Sequence, residues 1–370
     1  GAPKMIPGSK ARVVAAGSGV PRCVPWQPKY REGVLKLFRD VPYKAELWHW
    51  QFESNPFGLP FTPVVLVDDE DTVVGFNGVM AARATDQGEA IRVLWSCDFY
   101  LAEPWRGQGL GSVIKHELHR KAPVIMAFGI SNRASEVLRH LGWVPDESVR
   151  SYRMLRRRNG LRSWLLGGLQ WLNRLRRAFS AVPGISGMGI KVRSNLPERD
   201  RVDALWERCA PEYGRIVRRD FAYLDWRYQR HPLGRYGFVC AWQDDELAAT
   251  LVTRFSQSTL RIVDYCGPAR NRPLKRALVG AAVRHWPHAD QVFSVTSDPE
   301  LAETFLAEGF VQLRGRPRFY VYEPGAEPAA GSSVWFIMAG DSDGEFLQAA
   351  SDFYNPQTVP GVSALERAPC

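Results

Sequence analysis

Apolar and polar positions alternate with two periods along this chain. Runs such as "VVLVDDEDTVVGFNGVMAAR" (64–83) read as strand, acidic turn, strand, because their apolar positions suit a pleated sheet and the acidic cluster suits a turn. Stretches such as "REGVLKLF" (31–38) and "DRVDALW" (200–206) instead space their apolar residues three and four apart, as one face of a helix requires. Such units recur in a fixed order: helix, helix, three strands, helix, strand, helix, strand. The same order is then stated a second time.

Residue identities support the repeat. In "WHWQFESNPFG" stand Trp50, Phe52, Pro56 and Gly58, and in "LDWRYQRHPLG" stand Trp226, Tyr228, Pro232 and Gly234, all at an offset of 226 − 50 = 176. Pro28 and Pro197 precede the first helix of each half. "ASEVLRHLGWV" matches "LAETFLAEGFV", each a short helix pattern stopped by a glycine, Gly142 or Gly309, with an aromatic after it. The expected division is residues 20–157, a connector at 158–189, a second copy at 190–324, and a tail at 325–370 with one strand-like segment, "VWFIMAG". The connector carries arginines at 156–158, 162, 174, 176 and 177 around Trp164, Leu165, Leu169, Leu172, Leu175 and Phe179. It reads as an amphipathic basic helix, packed on a domain or lying on an anionic membrane surface. "DSD" in the tail reads as a solvated turn, since two carboxylates without further ligands do not make a cation site.

Composition narrows the partners. The 370 residues carry a formal charge of +9, which favours anionic ligands without choosing among them. The six cysteines have no CxxC or zinc spacing and read as buried thiols in a reducing compartment. No apolar run reaches the ~18 residues that span a bilayer.

The stretch with the most chemistry is "EPWRGQGLGSVIKHELHR" (103–120). It lacks the Lys-Ser/Thr of a P-loop and the G-x-G-x-x-G of a dinucleotide site. What remains is R-x-x-G-x-G, Arg106, Gly109 and Gly111, after a strand and before a helix. Glycines there let backbone N–H groups converge, and the helix adds the positive end of its dipole. That is a pyrophosphate cradle needing no metal.

"VLWSCDFYLAEPWRGQGLGSVIKHEL" resembles the signature of the GNAT acyltransferases, a strand, a P-x-R-G-x-G-x-G loop and a helix. "SNRASEVLRHLGWV" resembles that family's second landmark, and the two come in the family's order. The resemblance implies an α/β fold of two tandem GNAT-like domains, each a mixed, mostly antiparallel sheet flanked by helices. It implies acetyl-CoA or another acyl-CoA as donor. The diphosphate would rest on Arg106, Gly107, Gln108, Gly109, Leu110, Gly111 and Ser112, the pantetheine arm would run along Phe99, Tyr100 and Leu101, and Asn132 and Arg133 would lie near the far end. The second half reads "CGPARNRPLKR" at the loop position and is expected not to bind CoA. Its Arg270, Arg272, Lys275 and Arg276 read as a solvated face or as contacts to an acidic acceptor.

For the base, Asp98 amid apolar residues is the first candidate, read either as a group with a raised pKa or as a structural ion pair. Asp264 stands at its counterpart. Glu53 is the second candidate, on a helix that borders the acceptor site in the family. His116 and His119 read as surface residues. The tyrosine that protonates the leaving thiolate in many relatives is replaced by Leu138. The expected activity is acyl transfer to the amine of a small molecule, an amino sugar of surface-polysaccharide assembly being the guess. The rivals are a Fem-like transfer from aminoacyl-tRNA to a lipid-linked acceptor, and a non-catalytic acyl-CoA sensor. The intact glycine loop favours CoA over tRNA, so nucleic acid is not expected as a partner. The expected location is the cytoplasm, peripheral to the inner membrane face through residues 156–180.

Overall fold

The computed structural model describes residues 19–58, 61–156, 165, 167–172, 175, 187–325 and 334–354. The first half runs β1 (Arg22–Val24), α1 (Arg31–Leu37), α2 (Lys44–Trp48), β2 (Val64–Val67), β3 (Val73–Asp86), β4 (Glu89–Leu101), α3 (Leu110–His119), β5 (Val124–Phe128), α4 (Asn132–His140), β6 (Val144–Pro145) and β7 (Arg150–Leu155). The second half runs β8 (Met188–Arg193), a helix at Arg199–Cys209, β9 (Arg215–Val217), β10 (Gly237–Gln243), β11 (Glu246–Ser256), β12 (Thr259–Cys266), a helix at Arg272–His285, β13 (Gln291–Thr296), a helix at Pro299–Ala307, β14 (Val311–Gln312) and β15 (Phe319–Tyr322). The tail adds β16 (Trp335–Phe336) and a helix at Asp343–Tyr354.

The repeated order is present, with a leading strand in each half, β1 and β8, that the sequence pattern did not reveal. The matched tryptophans sit in matched places. α2 passes into a π-helical turn at His49–Glu53, and the second half has one at Asp225–Gln229. Trp50 and Trp226 are both buried.

Among the described residues there are two sheets. One has nine strands, in the order β1-β2-β3-β4-β5-β15-β6 with β9 on β3 and β16 on β9. The other has seven, in the order β14-β7-β13-β12-β11-β10-β8. Neighbours in each are antiparallel except for β4–β5 and β16–β9 in the first and β12–β13 in the second. The strand at Arg150–Leu155 therefore does not finish its own half. It pairs with β13, Ser294 opposite Tyr152, while β15 of the second half pairs with β5, Tyr320 opposite Ala127. The halves exchange their closing strands, so a boundary at residue 157 cuts through the second sheet's framework. Pairing partners 100 or more residues apart are chosen by packing, which local periodicity does not encode.

One hydrophobic core runs through both halves, from Trp48 and Phe76 to Phe238 and Phe305. A second lies under α3 and α4, around Leu94, Ile114 and Leu138. In the connector, Gln170 is buried and brackets Leu155, donating to its carbonyl (2.8 Å) and accepting from its N–H (3.0 Å). Leu165, Leu169, Trp171, Leu172 and Leu175 are exposed. The connector arginines at 157, 158, 162, 174, 176 and 177, with Trp164 and Phe179, lie outside the described residues. No helix among the described residues is long and apolar enough to cross a membrane.

Candidate active site

Two features of the first sheet make a site. β4 and β5 pair in parallel only from Val93↔Val124 to Trp95↔Met126 and then diverge. Opposite Asn77, β4 carries an extra residue: Phe76 faces Tyr100 and Gly78 faces Cys97, so Asp98 and Phe99 share one partner. Such a bulge bends the strand and turns a backbone group out of the ladder. Asp98 takes the strain, with φ of 49°, a region non-glycine residues seldom occupy.

A cavity of about 630 Å³ fills the gap between the diverging strands, a volume typical of small-molecule sites. Its outer end is the glycine turn. Gly107 and Gly109 have φ of 78° and 79°, and a Cβ on either would project into open space. Gly109 caps α3 with no side-chain acceptor, which leaves the first amides of a ten-residue helix without a capping group. Arg106 braces the turn. Its Nε donates to the Leu101 carbonyl (2.7 Å) and its guanidinium lies over the Tyr100 ring (5.1 Å).

Most of the expected donor-site residues line this cavity: Phe99, Tyr100, Leu101, Arg106, Gly107, Gly109, Gly111, Ser112 and Arg133, together with Asp98. Three stand off it. The Gln108 side chain turns back to the Pro104 carbonyl (3.0 Å), Leu110 is buried in the core under α3, and the Asn132 side chain accepts from Arg318. Glu53 also stands outside the cavity. It accepts from Trp48 Nε1 (3.0 Å) and bonds His49 Nδ1 (2.9 Å), a pairing with His49 first that pulls its pKa down. Leu138, the position without a tyrosine, is in the cavity wall.

The inner end carries chemistry that the sequence did not disclose. Asp98 forms an ion pair with the buried Lys44 and accepts from Gln51 Nε2 (2.9 Å), while Gln51 Oε1 accepts from Lys44 (2.9 Å). Asp343, from the tail, lines the same cavity. Burial first, and then the charge of Asp98, push its pKa up to about 7. The tail reaches this place because the second half clamps it. Arg219 donates to Asp341 (2.6 Å) and to Asp264 (2.9 Å), all three side chains fully buried. Arg227 Nη2 donates to the carbonyls of Gly340 (2.6 Å) and Ser342 (3.0 Å). "DSD" is thus not a solvated turn. Its first aspartate satisfies a buried guanidinium 122 residues away, and its second faces the cavity. Gly129 makes room, since a Cβ there would lie 2.9 Å from Ser342 Oγ and the residue has φ of 82°. Asp264 is the structural ion pair, closed further by Tyr228 OH (2.6 Å).

Lys115 is the other unannounced residue. It is buried on α3, lines the cavity, and donates to Asn77 Oδ1 (2.6 Å) and Ser96 Oγ (3.1 Å). Its signal was spacing: it follows Gly111 by four residues and precedes Leu118 by three, on the helix face turned to the sheet. His119, one turn further, is half-buried rather than on the surface. It stacks on Tyr322 (3.6 Å) and accepts from Trp143 Nε1 (2.8 Å), and burial first holds its pKa down at about 4.

The second half closes the equivalent place. Lys275 Nζ donates to the Ala269 carbonyl (2.6 Å), Asp298 (2.8 Å) and Glu300 (3.1 Å), and Arg272 pairs with Glu303. These bonds fasten the loop after β12 to the helix at Pro299–Ala307. Lys275 is therefore an interior brace and not part of a solvated basic face.

No family model matches the sequence, and no curated protein does. Solved structures do match. A probable N-acyltransferase from Enterococcus faecalis superposes with a TM-score of 0.60 at 12% identity, over 82% of this chain and 72% of that one. A GCN5-related N-acetyltransferase from Anabaena variabilis gives 0.58 at 12%, over 82% and 73%. The N-myristoyltransferase of Saccharomyces cerevisiae, with bound myristoyl-CoA, gives 0.50 at 14%, over 90% and 93%. At such identities the likeness is one of fold, and the chain has the GNAT-type fold.

Proposed function

We propose that the protein is an acyl-CoA-dependent N-acyltransferase with one donor site, in the first half. The observation that carries this reading is the single cavity joining the glycine turn to the Asp98–Asp343 pair. The diphosphate of the donor sits against the α3 amides, where dipole and N–H groups favour an anion, and Arg106 and Arg133 add charge. The acyl arm follows Leu101, Tyr100 and Phe99 toward the bulge.

The acceptor amine meets the acyl carbon near the carboxyl pair. A neutral amine is the nucleophile, so a base must take its proton, and a group titrating near neutrality suits that task. Asp343 is that base. Asp98, held by Lys44 and Gln51, lies on the same cavity wall, and after burial it is the second influence raising the proton affinity of Asp343. The bulge at Asp98–Phe99, where a backbone group leaves the ladder, is where we place the donor to the developing oxyanion. The second half contributes by holding Asp343 in place through Arg219 and Arg227.

The acceptor we assign is the amine of a small molecule, with amino sugars of surface-polysaccharide assembly as the class the sequence resemblance suggests. On this reading the protein works in the cytoplasm, with residues 156–180 near the anionic inner face of the membrane. The test is thiol release from acetyl-CoA against a panel of amines that includes amino sugars. Acceptor-dependent release in wild type, lost in Asp343→Asn, supports the reading. No release with any amine, or full activity in Asp343→Asn, overturns it.

A further inference from the structure

We infer that Lys115 is the proton donor to the departing CoA thiolate, the task for which Leu138 stands where the family's tyrosine would be. This rests on the donor-site reading above. A donor fixed at the glycine turn and extended along β4 brings its reactive end toward Ser96–Asp98. At that inner end, Lys115 Nζ is bonded to Ser96 Oγ and lies 4.7 Å from the centre of the Phe99 ring. Arg106, an arginine of the cavity wall, belongs to the outer end, where it braces the glycine turn. The two protein acceptors of Lys115, Asn77 and Ser96, are both neutral.

The partners are unusual for a buried ammonium, which is ordinarily paired with a carboxylate. Lys275, on the corresponding helix of the second half, has two, Asp298 and Glu300. Among the described residues no carboxylate pairs with Lys115. Its three N–H donors meet two acceptors, so one remains for a ligand. Burial holds its pKa down at about 7, with Cys97 a weaker opposing influence. Other titratable groups around it are Asp98 and Asp343 on the cavity wall and His119 one turn along α3. An acid of that strength is matched to a thiolate, and a thiolate formed against it is stabilised at once.

The proton balance closes. The neutral amine nitrogen bonds to the acyl carbon, and the adduct's N–H proton goes to Asp343. The C–S bond breaks, sulfur keeps the electron pair and takes a proton from Lys115 Nζ. The products are the amide and CoA-SH. Protonated Asp343 and neutral Lys115 then return to their starting states by moving one proton between them through solvent.

The test needs no knowledge of the acceptor. The ultraviolet absorbance of the thiolate of bound CoA is titrated with pH in wild type, Lys115→Met and Lys115→Arg, with melting curves to check folding. Lys115 and the bound sulfur titrate as a pair, so in wild type the first proton leaves with growth of thiolate absorbance about one pH unit or more below free CoA, a tenfold shift in acidity. In Lys115→Met the thiol returns to the free value while CoA affinity changes by less than about tenfold. Lys115→Arg retains the shift, because a guanidinium keeps its charge beside the sulfur. An identical thiol titration in wild type and Lys115→Met overturns the assignment of Lys115. Failure of wild type to bind CoA instead overturns the donor site itself.

Discussion

Trp50 and Trp226 donate their indole N–H groups to each other's backbone carbonyl, at 2.7 and 2.8 Å, with their rings stacked 5.3 Å apart. Two residues that match at an offset of 176 thus meet at the junction of the halves and satisfy one another. Trp50→Phe leaves the Trp226 carbonyl without its indole donor, at a cost of about 1–3 kcal/mol, and Trp226→Phe should cost less because Ser54 Oγ still donates to the Trp50 carbonyl (3.1 Å). The double variant removes both bonds, which are separate, so any departure from the sum is the coupling carried by the stacked rings. Chemical denaturation of the two single variants and the double variant measures that coupling, and strict additivity would argue against an energetic contribution from the stacking.

The exchange of β7 and β15 makes the halves interdependent. Residues 20–157 expressed alone lack β15, β9 and β16 of their own sheet and carry β7 with no sheet to join. That fragment should be aggregated or unfolded by circular dichroism and size-exclusion chromatography. The full chain should melt in one cooperative transition, and two well-separated transitions would contradict the shared framework.

Much of this was legible beforehand, for reasons that show in particular residues. The repeat was visible because Trp, Pro and Gly do structural tasks few residues can replace. The glycine turn was visible because backbone close to an anion needs missing side chains, and Gly109 has a left-handed φ of 79°. Asp343 was not legible, because an acidic turn looks the same whether water or Arg219 and Arg227 surround it. Nor was the strand exchange, since Arg150–Leu155 would satisfy either sheet. The identity of a burying partner more than 100 residues away is a property of the packed chain.

Asp343→Asn should lower kcat by on the order of 10²- to 10³-fold with the acyl-CoA KM nearly unchanged, as expected for loss of a general base. Wild-type rate should rise with pH toward about 7, where Asp343 gives up its proton, and fall above it as Lys115 loses its own, and the rising limb should vanish in the variant. Stability provides an independent readout. The folded pKa lies above the ordinary 3.8, so the stabilising share of Asp343 is present below 3.8 and lost as pH rises through about 7. At pH 8 the Asn variant should therefore unfold at a higher denaturant concentration than wild type. A lower midpoint would mean that the charged carboxylate is welcome where it sits.

Two histidines set the acid side. His119 is held at about 4 and His231 at about 3, both chiefly by burial, against an ordinary 6.5. The unfolded chain takes up protons below about 6.5 that the folded chain refuses. Stability is thus intact above that pH and falls as the solution is acidified toward 4. His119→Gln keeps an acceptor for Trp143 without the titration, and a denaturation series from pH 7 to about 4 should show a shallower loss than wild type. Equal slopes would show that His119 charges freely in the folded protein.

The central claim is one donor site built on the glycine turn. Calorimetry with acetyl-CoA on wild type and on Gly109→Trp with Gly111→Trp tests it most directly. The account predicts one site per chain in wild type, and binding at least tenfold weaker in the double variant, whose indoles fill the cradle while the melting curve stays cooperative. No binding to wild type, two sites per chain, or equal affinity in the double variant would contradict it.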